Sequence, residues 1–114
     1  MKIFNKLKGD IGEEKAVKYL KKQKYRIIKR NLKNNGGEID IIARQKKTVV
    51  FVEVKTRTDE KFGFGAEAVD LKKQSKIRNA AMLYMQKENV ADVRFDVIEV
   101  YLAEDRINHI INGF

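Results

Sequence analysis

The chain has no cysteine, no proline and no tryptophan among its 114 residues, and it has a single histidine, His109. The lack of cysteine excludes disulfides and thiolate metal ligands, and one histidine excludes a zinc site built from several histidines. No apolar run approaches the roughly 20 residues that a membrane helix needs, and residues 1–8 lack the apolar core of a secretory signal. These absences predict a cytoplasmic protein with no membrane segment, and the length predicts a single domain, residues 1–114.

Acidic residues are scarce in the first third of the chain. Residues 1–34 hold twelve lysines or arginines and three acidic residues, whereas residues 35–114 hold thirteen of each. The net charge of +9 therefore lies in the first third, beginning with a basic segment at residues 1–9. This concentration predicts attraction of a polyanion, although many lysine-rich helices are simply solvated. The predicted nucleic-acid-binding side chains in this region are Lys15, Lys18, Lys21 and Lys22.

Two runs of β-branched residues, 37–43 and 49–55, predict neighbouring strands, and the polar tip at residues 45–47 predicts a hairpin turn. Apolar side chains on both faces of these runs indicate buried central strands, in which an unpaired charge is unfavourable. Charges nevertheless interrupt the runs at every second position, at Glu38, Asp40, Glu53 and Lys55. These four residues are therefore candidates for a functional site.

A two-residue turn at positions 46–47 places Asp40 opposite Glu53 in the hairpin. By the same register, Glu38 falls opposite Lys55. Facing carboxylates lie roughly 5 Å apart at Cβ, and their repulsion must be offset by a shared proton, a cation or both. A hard divalent ion such as Mg²⁺, with Mn²⁺ as an alternative, suits two or more carboxylate oxygens. Lys55 can then offer its ammonium group to an anionic substrate or to a water molecule held by the ion.

Two helices are predicted before and after the hairpin, from about Asp10 to Lys22 and from about Val69 to Lys87. In the first helix, Glu13 lies in the stripe of apolar residues that faces the core. It either belongs to a capping box with Asp10 as the N-cap or projects toward the two strands. In the second helix, Lys73 lies at the start of the buried stripe, and it either snorkels to solvent or reaches a substrate phosphate.

Further strands are predicted from Tyr25 to about Asn31 and from about Val93 to Leu102, with a short edge strand within residues 103–114. Residues 57–65 read as a polar loop beside the site, in which Arg57 is another predicted contact for nucleic acid. The order α-β-β-β-α-β predicts an α/β fold. In this fold a three-strand meander, a crossover helix and a fourth strand form a mixed central sheet flanked by helices.

The element order, with Asp40 on the second strand and Glu53-x-Lys55 on the third, resembles the PD-(D/E)xK superfamily of restriction-endonuclease-like nucleases. Ile39 stands where the name of that superfamily has proline. Four motifs more narrowly resemble the YraN-like family of predicted endonucleases, which is similar to archaeal Holliday-junction resolvases. The motifs are Gly12-Glu13, Gly37-Glu38-Ile39-Asp40-Ile41-Ile42, Phe51-Val52-Glu53-Val54-Lys55-Thr56-Arg57 and Arg94-Phe95-Asp96-Val97-Ile98.

The resemblance implies metal-dependent cleavage of DNA, and it implies branched or junction DNA where members are resolvase-like. Lys55 would be catalytic, and Glu38 would pair with Lys55 or lie behind the metal ligands. The alternatives are a non-catalytic nucleic-acid-binding module and a structural subunit of a DNA-processing complex. Junction cleavage would require a homodimer, because two strands must be cut. The residues that would hold one or two Mg²⁺ ions are Asp40, Glu53, Glu13 and, through its backbone carbonyl, Val54.

Overall fold

The computed structural model of the protein describes residues 2–58 and 69–114. Most of the polar loop predicted at residues 57–65 lies outside these ranges. Within them, neither helix combines the length and the apolar character needed to cross a membrane. The elements are α1 (Lys2–Lys22), β1 (Arg26–Asn34), β2 (Gly37–Gln45), β3 (Thr48–Arg57), α2 (Leu71–Glu88), β4 (Val93–Tyr101) and β5 (Arg106–Ile110).

The five strands form one mixed sheet in the order β1-β2-β3-β4-β5. The first three strands form an antiparallel meander. The crossover through α2 makes β4 parallel to β3, and β5 returns antiparallel at the edge. The predicted α-β-β-β-α-β order, mixed sheet and restriction-endonuclease-like arrangement are therefore confirmed, and β5 is an edge strand as the sequence predicted.

The two helices cover opposite faces of the sheet. On one face, α1 packs onto the side chains of Val50 and Val52. On the other face, α2 packs onto Val49 and Phe51. The central strand β3 is thus buried on both sides, which explains why its sequence is apolar without interruption before Glu53. The buried residues that the helices contribute are Ala16, Val17 and Leu20 from α1, and Ile77, Ala80 and Ala81 from α2.

Helix α1 begins at Lys2, so the predicted start near Asp10 was wrong. Asp10 is not an N-cap: it lies inside the helix, and its carboxylate is 3.2 Å from Lys6 Nζ in an i,i+4 ion pair. The extra turns escaped prediction because Phe4, Leu7 and Ile11 do not face the core. These side chains form an exposed stripe, and between Phe4 and Lys22 the first buried residue is Gly12.

The β1–β2 turn is pressed against α2. Asn34 Oδ1 accepts hydrogen bonds from the backbone N–H groups of Gly36 and Gly37, at 2.8 and 3.3 Å. Asn34 Nδ2 donates to the carbonyl of Ala80 in α2, at 3.0 Å. A Cβ on Gly36 would lie 2.6 Å from the α2 backbone, so this approach requires glycine. The turn therefore fixes α2 against the hairpin that carries Asp40.

Candidate metal and catalytic site

Strands β2 and β3 separate beside Asp40. The predicted hairpin register is confirmed from Gln45 opposite Thr48 up to Ile41 opposite Val52. At the next position, Asp40 Oδ2 accepts a hydrogen bond from the backbone N–H of Val54, at 2.8 Å. A side-chain oxygen thus takes the place of a backbone acceptor, and the two strands diverge into a fork. Polar side chains from both strands meet in this fork.

Strand β2 reverses the faces of its side chains at the level of a left-handed residue on β1. Asn31 has φ of 54°, in the left-handed region. Side chains two residues apart on a regular strand share one face, yet Ile41 packs on the α1 side of the sheet and Ile39 on the α2 side. The period-two pattern of the sequence predicts a regular pleat through Asp40, so this reversal differs from the prediction.

Asp40 and Glu53 form a close carboxylate pair in the fork. Glu53 is only 3% exposed. The pKa of Asp40 is raised to about 7, chiefly by burial and then by the hydrogen bond and the charge of Glu53. The N–H of Val54 and the charge of Lys73 act in the opposite direction. A raised pKa of this kind means that the pair retains a proton near neutral pH, one of the two offsets expected for facing carboxylates.

Lys73 supplies a cation to this pair from the first turn of α2. Its ammonium group forms an ion pair with Glu53 Oε2. Burial acts to lower the pKa of Lys73, but the interaction with Glu53 outweighs burial and raises it. The helix N-cap Asp70 accepts a hydrogen bond from the Lys73 backbone N–H at 2.8 Å, which fixes this turn. Of the two alternatives for Lys73, the structure therefore favours a position in the site over snorkelling.

Lys55 follows Glu53 on the same strand and is half-buried. Burial lowers the pKa of Lys55, and the neighbouring charge of Lys73 lowers it further, whereas Glu53 acts to raise it. The predicted pair of Glu38 with Lys55 was wrong. Glu38 lies 3.6 Å from Lys33 Nζ, its cross-strand neighbour on β1, because β2 and β3 have already diverged at that level. Lys55 is thus left to face the site.

Glu13 is buried at 9% exposure, as predicted from its place in the apolar stripe. It lines a cavity of about 290 Å³ together with Asp40 and Val54. Its Oε1 atom accepts hydrogen bonds from Arg30 Nε at 3.0 Å and Asn31 Nδ2 at 3.1 Å. Glu13 thus reaches the same cavity as Asp40, but one of its oxygens is held by β1. Arg30 and Asn31 were not predicted as partners of Glu13, because polar residues on an exposed strand show no pattern that marks a site.

The tight contact beside Glu13 depends on the preceding glycine. A Cβ on Gly12 would lie 1.9 Å from Thr56 Oγ1 on β3. Only glycine lets α1 approach β3 this closely. This approach brings Glu13 to the cavity that Asp40 lines.

The donor set in the fork fits a hard cation with two protein ligands. In the described part of the chain, no three carboxylate or histidine groups converge enough to hold a metal ion. Asp40 and Glu53 do come together, and Glu53 Oε2 is buried with no hydrogen-bond donor of good geometry among the described residues, although Lys73 lies beside it. Two such carboxylates suit Mg²⁺, which keeps waters and substrate phosphate in its remaining positions. Glu13 lines the same cavity as Asp40, and its Oε1 atom is held by Arg30 and Asn31 of β1, so its role as a third ligand stays a prediction.

The predicted nucleic-acid contacts fall into separate places. Lys15 is paired with Asp105 at 2.6 Å, and Arg57 is largely buried with Glu99 at 3.4 Å. Both side chains therefore already have acidic partners. Lys73 lies in the fork, on the α2 side of the sheet. The other three predicted contacts are exposed on α1, which covers the opposite face: Lys18, Lys21 and Lys22.

A second buried carboxylate, Asp96, lies in a hydrogen-bonded network that the sequence analysis did not identify. Arg94 donates to both of its oxygens, at 2.9 and 2.8 Å. His109 Nε2 is 2.7 Å from Oδ2, and the Asn112 N–H donates to Oδ1 at 3.1 Å. Burial acts to raise the pKa of Asp96, but the bonds from His109 and Arg94 outweigh burial and lower it. Tyr19 completes the network at His109 Nδ1, at 3.0 Å.

The fold, together with the fork that holds Asp40, Glu53 and Lys55, defines a restriction-endonuclease-like protein. The chain belongs to the uncharacterised protein family UPF0102, the YraN-like group, whose family model matches residues 12–100. The resemblance to this family predicted from the motifs is therefore confirmed.

Relatives in this family are similar over almost their whole length. A UPF0102 protein of Clostridioides difficile is 50% identical, covering 96% of this chain and 98% of the relative. One of Caldanaerobacter subterraneus subsp. tengcongensis is 46% identical, covering 99% and 98%. A solved structure of Pyrococcus furiosus SfsA in complex with Ca²⁺ is similar with a TM-score of 0.34 and 17% identity, and the match covers 92% of this chain and 62% of that one. This last similarity is too low to support an argument about fold or function.

Proposed function

We propose that this protein is a divalent-metal-dependent endonuclease that hydrolyses phosphodiester bonds in DNA, with branched or junction DNA as its substrate class. The observation that carries the proposal is the pair of carboxylates in the fork, the buried Glu53 and the partly buried Asp40, in which desolvation and the interaction with Glu53 raise the pKa of Asp40 to about 7. Buried like charges are unfavourable for folding alone. Carboxylates perturbed in this way cluster at functional sites.

The residues of the fork divide the chemistry between them. Asp40 and Glu53 would hold Mg²⁺, which when bound polarises the phosphodiester and lowers the pKa of the attacking water. Lys55 would orient that water or contact a phosphate oxygen. Lys73 would place a second positive charge beside Lys55, where negative charge develops in the transition state. Glu13, held by β1 at the rim of the cavity, would restrict where water can lie.

The test is cleavage of linear duplex, single-stranded, flap and four-way DNA by the purified protein with Mg²⁺ or Mn²⁺. The matched control is Glu53→Gln, which keeps the shape of the side chain and removes its charge. We expect cleavage by the natural chain that a chelator suppresses, and none by the variant prepared in the same way. Equal cleavage by both proteins would reveal a contaminating nuclease. No cleavage of any substrate with either metal would contradict the proposal.

A non-catalytic nucleic-acid-binding module is the second candidate. One observation favours it: Oε1 of Glu13 is held by Arg30 and Asn31, which leaves two carboxylates in the fork rather than three. This candidate predicts DNA binding that does not depend on Mg²⁺ and is not followed by cleavage. The same set of substrates separates the two candidates when binding is measured alongside cleavage.

A further inference from the structure

Three depressions lie in a row between the edge strand β1 and helix α2, on the face of the sheet opposite α1. We call this row the β1–α2 seam. Its volumes are about 390, 240 and 500 Å³. The basic residues that line it are Arg26 and Arg44 in the first depression, Lys29, Lys33 and Lys87 in the second, and Lys72, Lys73 and Lys76 in the third. Three carboxylates accompany these eight cations, so the seam is strongly basic.

The three depressions connect to each other and to the fork. The first two share Tyr84 in their lining. The second and third meet at the ion pair between Lys33 and Glu38, which line one depression each. The third includes Lys73, the ion-pair partner of Glu53. A basic track therefore runs from the start of β1 to the carboxylate pair.

Most cations of the seam have no acidic partner. Arg26 and Arg44 are direct cross-strand neighbours, and like charges in that position destabilise a sheet. Across residues 2–58 and 69–114, neither arginine forms an ion pair, nor do Lys29, Lys72 and Lys76. A concave surface lined by one sign of charge focuses its field outward and concentrates ligands of the opposite sign. The arrangement is therefore better explained by an anionic ligand than by folding.

We propose that the β1–α2 seam binds the phosphodiester backbone of a DNA segment that continues into the fork. The proposal rests on the proposed function for its substrate class. The strand from Arg26 to Asn34 is roughly 26 Å long, which corresponds to about eight base pairs of duplex at roughly 3.4 Å each. Arginine pairs suit phosphate, because each guanidinium can donate two parallel hydrogen bonds. The main DNA contact thus lies on the α2 side of the sheet, rather than on the lysines of α1.

The experiment compares two triple variants that remove equal charge from opposite faces of the protein. The seam variant is Arg26→Gln, Arg44→Gln and Lys29→Gln, and the α1 variant is Lys18→Gln, Lys21→Gln and Lys22→Gln. All six side chains are exposed, and thermal unfolding verifies that both variants fold. Binding to duplex and four-way DNA is measured over a salt series in an Asp40→Asn background, so that affinity is read without turnover.

We expect the seam variant to bind at least about tenfold more weakly, with a salt slope flatter by about two to three units, because fewer counterions are released. The α1 variant should change affinity by less than about threefold. An equal or larger loss in the α1 variant, or no DNA binding by the parent, would overturn the proposal.

The outcomes distinguish failure of the seam proposal from failure of the proposed nuclease function. A seam-dependent binder that never cleaves refutes the nuclease alone, whereas cleavage with equal losses in the two variants refutes the seam alone.

Discussion

Asp40, which is partly buried, and Asp96, which is fully buried, are both aspartates beside the central strand β3, and their surroundings differ in kind. Asp96 receives hydrogen bonds from Arg94 and the Asn112 N–H and lies 2.7 Å from His109, and these contacts lower its pKa. Asp40 receives one hydrogen bond from a backbone N–H, and its nearest charged neighbour is another carboxylate. Its pKa is raised to about 7. The carboxylate of Asp96 therefore has its hydrogen-bond partners within the fold, whereas that of Asp40 lacks a full set of them.

The difference separates a structural network from a candidate site. A fully satisfied buried network stabilises one arrangement of the core, whereas a partly satisfied one is retained only when something outside the fold completes it. At Asp40, the missing partner is a cation or a proton. By this criterion Asp96 belongs to the scaffold, although it has the more elaborate set of side chains.

The largest difference between the Asp40 and Asp96 variants should be in the rate of DNA cleavage. Asp40→Asn should lower single-turnover cleavage at saturating DNA by at least about 10³-fold, because an amide oxygen binds a hard dication far less strongly than a carboxylate does. DNA affinity should stay equal or rise, since a negative charge near the phosphate is removed. The Asp96→Asn variant should cleave DNA at the same rate as the natural chain when the rate is corrected for the fraction of molecules that are folded. A parallel loss of binding in Asp40→Asn would contradict the assignment of Asp40 to metal binding.

The next largest effect should be on stability. Asp96→Asn should reduce the free energy of unfolding by about 3–5 kcal/mol, because the buried Arg94 guanidinium loses its charged partner. Urea denaturation followed by circular dichroism measures this change. Asp40→Asn is the matched control, and at pH 8 it should lose no stability. If the two variants were destabilised equally, the contrast between scaffold and site would be wrong.

The contributions of the two aspartates to the free energy of unfolding should also change with pH in opposite directions. The pKa of Asp40 is raised in the folded state, so its contribution to stability is full below about pH 4 and is lost as pH rises through about 7. The pKa of Asp96 is lowered, so its contribution is present above about pH 4 and is lost as pH falls through its native value. Relative to the natural chain, Asp40→Asn should therefore gain on the order of 2–3 kcal/mol between pH 5 and pH 8.

Denaturation series from pH 3.5 to pH 8.5 without divalent ions measure both trends. For Asp96→Asn, the deficit in stability should shrink as pH falls below about 4. An Asp40→Asn curve parallel to that of the natural chain would show that the Asp40 pKa is not raised.

The smallest expected effect is stabilisation by metal. At ten times its dissociation constant, Mg²⁺ should raise the free energy of unfolding by about 1.4 kcal/mol, because it binds only the folded fork. Asp96→Asn should keep this response and Asp40→Asn should lose it. Thermal unfolding with and without Mg²⁺, at ionic strength matched with NaCl, measures the difference. The same rise in both variants would place metal binding elsewhere.

The features that the sequence predicted well have local causes. The turn at Lys46-Lys47 follows from two adjacent strands of opposite direction, and it gave the correct register up to Ile41 opposite Val52. The element order follows in the same way from residue periodicity, and the burial of Glu13 follows from its place in a helical stripe.

The features that escaped prediction depend on side chains capturing backbone, or on distant elements meeting. The fork forms because Asp40 takes the N–H of Val54, which no periodicity shows. The reversal of β2 coincides with one left-handed residue on the neighbouring strand β1, Asn31. Arg94-x-Asp96 could have suggested a pair on one strand, but His109 comes from the edge strand β5.

Gly12 has a consequence for how accurately the site is assembled. A single added carbon there would lie 1.9 Å from Thr56, whereas a carbon added at Gly9, one turn earlier, would meet nothing within 4 Å. Helix α1 thus packs against β3 at Gly12 with no room for a side chain, whereas the space beside Gly9 is open. We expect thermal motion of α1 to decrease from Gly9 to Gly12, so that the backbone holds Glu13, the next residue, beside the cavity that Asp40 lines.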